Sequence, residues 1–183
     1  IGDLSVMCTS LVFRGQYRWR GTKVTPGMGT TRPYEIFGAP FMRALSDYCS
    51  RNGYDNWNDP SNPIYDPATF IRWTMFVPGE GRYAGEECYG FQLLQNPGVQ
   101  YHALGHALRI MRFVRNECPE LDLECGLEEI LDDNILMEYV RGVDIWDEVK
   151  ENIKVEEQKW IKKAKKYLLY DDSLWRIKQI FAK

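Results

Sequence analysis

The sequence predicts an α+β fold, with a small β-containing N-terminal part followed by a mostly helical C-terminal half. Three observations predict it. Up to Gly98 the apolar residues fall in short β-branched and aromatic runs broken by Gly, Pro, Asn and Asp, which is the punctuation of strands and turns. From Val99 onward they recur at three- and four-residue spacing, the period of an amphipathic helix. The charge divides the same way: an Arg-rich front, an acidic stretch over 117–157, and a Lys-rich end. The expected domains are 1–116, an Arg-rich α+β core, and 117–183, a helical acidic-then-basic extension that either stands apart or forms one domain with the first.

The elements follow in order. "LSVMCTSLVFRG" is β-branched and apolar and reads as a strand ending at Gly15, and "QYRWRGTKV" returns as a second, making a front hairpin. "TPGMGTTRP" is a loop, its Pro-Gly pair marking a turn. "APFMRALSDYCSRNG" places Phe41, Leu45, Tyr48 and Cys49 on one helical face and stops at Asn52-Gly53. "YDNWNDPSNPIYDP" is a long surface loop carrying Trp57 and Tyr65. "ATFIRWTMFVPGEG" is read as a strand, although Asp66-Pro67 also suits a helix start. "AGEECYGFQLLQNPG" is read as a short helix stopped at Asn96-Pro97-Gly98. Helices are then expected over 99–116, over 127–141 with Gly142 ending it, along "VDIWDEVKENIKVEEQKWIKKAKKYLLY", and after an Asp171-Asp172-Ser173 cap.

The 183 residues, 44% hydrophobic and 14% aromatic, suffice for a packed core and exclude a disordered chain. The formal net charge of −3 gives a poor electrostatic footprint for nucleic acid, which is not expected as a partner. Five scattered cysteines, an odd number, do not make a disulfide framework, so an intracellular, reducing compartment is expected. No apolar run approaches the roughly 20 residues of a spanning helix, so no transmembrane helix is expected. The start at Ile1 suits a removed presequence, which would make the compartment mitochondrial.

Candidate sites are few. His102 and His106, the two histidines, lie four residues apart on one helix, beside a stripe of Ala103, Ala107, Ile110 and Val114. They read as the edge of an amphipathic helix. The alternative is a zinc site completed by Cys118 and Cys125, since zinc wants four ligands. "GQYRWRGTK" has one residue too many between its glycines for a phosphate loop, and "PGMGTT" lacks the third Gly of a dinucleotide fingerprint. The acidic run Glu128, Glu129, Asp132, Asp133 reads as a solvated helix face. No nucleophile-and-base set can be assembled from two histidines on one helix.

Two stretches resemble known families. "LVFRGQYRWRGTKVTPGMGTTR" is similar to the opening of FRG domains in Arg14, Gly15, Gln16, Pro26 and Arg32, with Gln100, His102 and Leu108 echoing their later signature. That resemblance implies an ADP-ribosyltransferase-like enzyme in which Arg14 faces a bound NAD. "LLYDDSLWRIKQI", residues 168–180, resembles the small helical matrix-side subunit of the mitochondrial cytochrome bc1 complex. The reading adopted from the sequence is a non-catalytic accessory subunit of a larger, respiratory-type mitochondrial assembly, leaning against an enzyme and without a cofactor. Its partners would be other protein subunits, docked through Arg14, Arg18, Trp19 and Arg20 of the hairpin together with Trp57, Trp175 and Arg176. An NAD-binding FRG-like enzyme and a zinc-stabilised binding module are the alternatives.

Overall fold

The computed structural model describes residues 7–48, 51, 57–96, 99–121 and 126–167. The chain divides into two compact units, Ile1–Asp144 and Ile145–Lys183. The α+β reading holds: a small β-containing N-terminal region precedes a mostly helical C-terminal half. Among the described residues no helix is long and apolar enough to cross a membrane.

The first unit opens with helix α1 (Met7–Gln16) and a 3₁₀ turn (Tyr17–Gly21), where the sequence suggested a hairpin. The β-branched residues misled because their burial runs with a helical period. Thr9, Val12 and Gln16 are buried, at spacings of three and four, while Leu11 and Arg14 face outward. The turn then drops Trp19 into the core. Its ring stacks on Phe37 at 4.9 Å, and its indole N–H donates to the Gln16 amide oxygen at 2.8 Å. That bond lets a Trp be wholly buried without an orphaned donor.

Three antiparallel strands follow: β1 (Ile36–Ala39), β2 (Thr69–Phe76) and β3 (Cys88–Gln95), in the order β1-β3-β2. Gly38 faces Gly90 across β1 and β3, and Trp73 faces Phe91 across β2 and β3. The segment read as a short helix is thus the central strand. Phe91 and Leu93 are buried on one face and Cys88 and Gln92 on the other, so no polar alternation marks it. The free edge of β2 is closed by Asn58. Its side chain donates to the Ile71 carbonyl at 2.8 Å and accepts from the Ile71 N–H at 2.7 Å, in place of a fourth strand.

A 3₁₀ stretch (Pro40–Asp47) takes the place of the helix expected there; Met42, Leu45 and Tyr48 are buried. The loop 57–68 is not merely surface. Trp57 packs edge-on against Phe91 at 4.7 Å and stacks on Trp73 at 5.9 Å. Helix α2 (Ala103–Glu117) lies where the periodicity placed it, burying Leu108, Ile110, Met111 and Val114. The single helix expected over 127–141 is two, α3 (Leu127–Leu131) and α4 (Asn134–Arg141). Asp132 takes a left-handed conformation between them, and Asp133 caps α4 by accepting from the Ile135 and Leu136 N–H groups. Gly142 ends α4, as expected, through paired bonds from Gly142 N to Tyr139 O and Val143 N to Glu138 O.

The second unit contains α5 (Trp146–Ala164) and a short 3₁₀ turn (Lys165–Tyr167). Acids occupy the first turn of α5 and lysines the last, which complements the helix dipole. Lys150–Asp147, Lys154–Glu151 and Lys159–Glu156 form exposed pairs along it. The Asp171-Asp172-Ser173 cap lies outside the described residues.

Candidate functional site

Two loops meet beside the sheet. The first runs from Lys23 to Glu35, ahead of β1; the second is the β2–β3 connection from Val77 to Glu87. They are joined by the Gly79 N–H donating to the Gly29 carbonyl at 2.8 Å and the Tyr83 hydroxyl donating to the Lys23 carbonyl at 2.8 Å. Gly29 is required at this seam. Its φ is +76°, and a Cβ there would stand 2.5 Å from the Glu80 nitrogen. Each loop also holds a tyrosine with positive φ, Tyr34 at 63° and Tyr83 at 65°. Bulky residues in that region are costly and persist only where their surroundings enforce them. For Tyr34 the enforcement is visible: its N–H donates to the Pro26 carbonyl at 2.7 Å, and its ring meets Phe13 edge-on at 4.7 Å. For Tyr83 it is the hydroxyl bond across the seam.

At the base of the first loop sits Glu35, the buried acidic side chain among the described residues, only 2% exposed. A buried carboxylate needs partners. Thr9 of α1 donates its hydroxyl to Oε1, and Arg32 donates Nη1–H to Oε2 at 3.1 Å. The Arg32 side chain is 51% exposed all the same. Its backbone is fixed too: its N–H donates to Thr30 Oγ1 at 3.1 Å, and its carbonyl accepts from the Glu35 and Ile36 N–H groups. The site therefore presents a guanidinium held on a rigid loop, beside a second loop carrying Glu80, Arg82, Glu86 and Glu87, all exposed. Such a fork suits a planar anion. With both its oxygens engaged, Glu35 orients the arginine.

The residues singled out from the sequence are placed elsewhere. His102 is the N-cap of α2, its Nδ1 accepting from the Gly105 N–H at 3.0 Å. His106 is buried, not bordering. Its Nε2–H donates to the Ile64 carbonyl at 2.8 Å, and Nδ1 faces the Tyr101 hydroxyl at 3.1 Å. Since a carbonyl can only accept, this sets the tautomer and leaves Nδ1 as acceptor. Burial holds the His106 pKa down to about 4. Arg109, one turn on, donates to the Tyr65 carbonyl and to Asp66, each at 2.8 Å. Together they clamp the 57–68 loop to α2. Cys118 is buried, its thiol pushed up to about 12 by burial and nearby glutamates. Cys125 lies outside the described residues. Among those described, no cluster of three or more His, Cys, Asp or Glu side chains is placed to hold a metal.

The docking residues scatter. Arg14 is exposed on α1, and Arg20 lies over the Tyr17 ring at 5.5 Å. Arg18 is half-buried and donates to the Ile130 carbonyl at 2.6 Å, tying the 3₁₀ turn to α3. Trp19 and Trp57 are buried in the core and offer no surface to a partner. Trp175 and Arg176 lie outside the described residues. The sequence reading missed the Thr9–Glu35–Arg32 group. The signal was there in "RPYEIF": a carboxylate alone inside an apolar run needs a buried partner.

The fold and site define an α+β unit whose paired loops present an oriented arginine, and comparison with known proteins gives its family. Residues 11–170 match the family described as the C-terminal part of the exo-β-N-acetylmuramidase NamZ, and the chain belongs to that family. A curated relative, the peptidoglycan β-N-acetylmuramidase NamZ of Bacillus subtilis (strain 168), is 26% identical over 100 residues, covering 55% of this chain and 22% of that protein. A solved DUF1343 family protein from Bacteroides fragilis NCTC 9343 shares the fold, with a TM-score of 0.62 at 15% identity, over 88% of this chain and 42% of that one. The chain thus spans less than half the length of either relative.

These findings overturn four expectations. The FRG and cytochrome bc1 resemblances were local; the family match over residues 11–170, which takes in the first stretch and only the start of the second, replaces both. The non-catalytic accessory-subunit reading gives way to membership of an enzyme family, which also reverses the leaning against enzymatic function. The mitochondrial, respiratory-chain setting has no support beside relatives from Bacillus and Bacteroides.

Proposed function

We propose that this chain is the C-terminal part of an exo-acting peptidoglycan β-N-acetylmuramidase, and that its paired loops hold the sugar at the end of the glycan. The observation that carries the reading is the family match over residues 11–170, which takes in the whole of the Lys23–Glu35 and Val77–Glu87 site. Glycosidases generally cleave with two carboxyl groups flanking the scissile bond, one needing a transferable proton. Glu35, occupied by Thr9 and Arg32, is suited to positioning instead. The role supported here is grip on the terminal residue, which is what an exo-acting enzyme needs in order to register the chain end.

The test is glycan digestion by the protein that carries this chain. Peptidoglycan fragments ending in a non-reducing N-acetylmuramoyl residue should release free N-acetylmuramic acid, measured by mass spectrometry. Fragments ending in N-acetylglucosamine should remain intact. Release from neither, or equal release from both, would sink the reading.

A further inference from the structure

We infer that Arg32, held by Glu35 and Thr9, recognises the lactyl carboxylate that distinguishes an N-acetylmuramoyl residue from N-acetylglucosamine. The inference rests on the proposed function and names the group that its site reads. The starting point is an oddity of Arg32. An exposed arginine ordinarily has a mobile side chain and loses considerable rotamer freedom when it binds. Here the guanidinium is tied through Nη1 to Glu35, while the backbone N–H and carbonyl are both bonded within the loop.

Glu35 has no route to solvent of its own, with its side chain 3% exposed. Thr9, on another element, completes its bonding. If Arg32 served only to neutralise Glu35, burying the pair together would do so. Instead half of the arginine side chain stays at the surface. An arginine carries five N–H donors in a planar fork. One nitrogen is engaged by Glu35, and half of the side chain is exposed at the loop face. A fixed, outward fork is complementary to a carboxylate, and the preordering removes much of the entropic cost of binding. The seam ties this loop to the second one through the Tyr83 hydroxyl and the Gly79 N–H.

Calorimetric titration of the whole chain tests this with three probes: the methyl β-glycoside of N-acetylmuramic acid, its methyl ester, and the methyl β-glycoside of N-acetylglucosamine. The acid should bind at least about tenfold tighter than either neutral sugar, as one charge-assisted fork predicts. In Arg32→Ala the three should become equal to within about twofold, the neutral sugars keeping their affinity. If Arg32→Ala fails to fold with Glu35 left unpaired, Arg32→Lys replaces it. Lysine keeps Glu35 partnered but loses the fork, and the preference should fall at least about threefold. Equal binding of acid and ester by the native chain would overturn the inference and leave the proposed function standing. So would a folded Arg32 variant that keeps the full preference. Failure of all three sugars to bind would remove the inference together with the sugar-holding role, and the digestion assay would then decide separately whether the muramidase reading survives.

Discussion

At the scale of the residue, His106 shows how a side chain that suggests chemistry can serve packing. Its two nitrogens are both engaged, by Ile64 and Tyr101, and burial keeps it neutral. Asp66 favours its charged form and Arg109 opposes it, with burial the largest effect. The consequence for stability has a definite sign. An unfolded histidine takes up a proton near pH 6.5. The folded one resists down to about pH 4. The unfolded state therefore binds more protons across that window, and the fold loses stability as pH falls through it, by on the order of 3 kcal/mol in all. Urea unfolding followed from pH 7.5 to 5 should show most of this loss above the range where carboxylates titrate. A flat profile would mean that the ring takes up its proton in the fold as readily as in the unfolded chain. Trp19 makes the complementary point. Read from the sequence as a surface anchor, it is wholly buried, so Trp19→Ala should cost about 3–5 kcal/mol in chemical denaturation. A near-silent substitution would return it to the surface.

At the scale of the element, legibility followed periodicity. Helix α2 was legible because its apolar residues repeat at helical spacing and one face of it packs. Strand β2 was legible from its β-branched and aromatic run. Strand β3 was not, because a central strand buried on both faces has no alternation, and Gly90 and Gln92 dilute its strand character. Helix α1 was missed for the opposite reason: Thr9, Val12 and Phe13 look like strand residues, and tertiary burial of Thr9, Val12 and Gln16 overrides that preference. The candidate site depends on contacts between residues far apart in sequence, Thr9 with Glu35 and Gly29 with Gly79, which no local pattern carries. Of its parts, "PGMGTT" drew notice as a failed nucleotide motif, and Pro26 and Arg32 drew notice in the FRG resemblance. The loop seam can be tested with two glycines of nearly equal φ. Gly29→Ala meets the Glu80 backbone, whereas at Gly81, with φ +77°, a Cβ meets nothing within 4 Å. Both should lose about 1 kcal/mol to backbone strain. Only Gly29→Ala should also part the loops, seen as a changed Tyr83 environment in near-ultraviolet circular dichroism and several-fold weaker sugar binding. Matching behaviour of the two variants would show that the seam is not tight.

At the scale of the whole molecule, the family match runs through both compact units, yet the two differ in what holds them. In the first unit, β3 is flanked by strands on either side and α2 buries eight of its residues, while Trp57, Trp73, Phe91 and Phe113 form a continuous aromatic cluster. Opening any of these elements exposes the others, so their backbone bonds should break only with global unfolding. In the second unit, α5 buries Val149 and Ile153 among the described residues, and its ion pairs are exposed ones between flexible side chains. Exposed pairs of this kind contribute little, roughly 0.3–0.5 kcal/mol each on a helix. A helix of this length in water, with so little apolar surface buried, sits near the margin of stability on its own. Hydrogen exchange read by mass spectrometry should accordingly show β3 and α2 exchanging at least about a hundredfold more slowly than the 155–164 end of α5. The slow set should respond to denaturant with the full unfolding slope, and the fast set hardly at all. Equal protection across α5 and β3 would show that the charged helix is locked into the same cooperative unit as the sheet. Its exposed lysine–glutamate ladder would then be decoration on a helix held by burial.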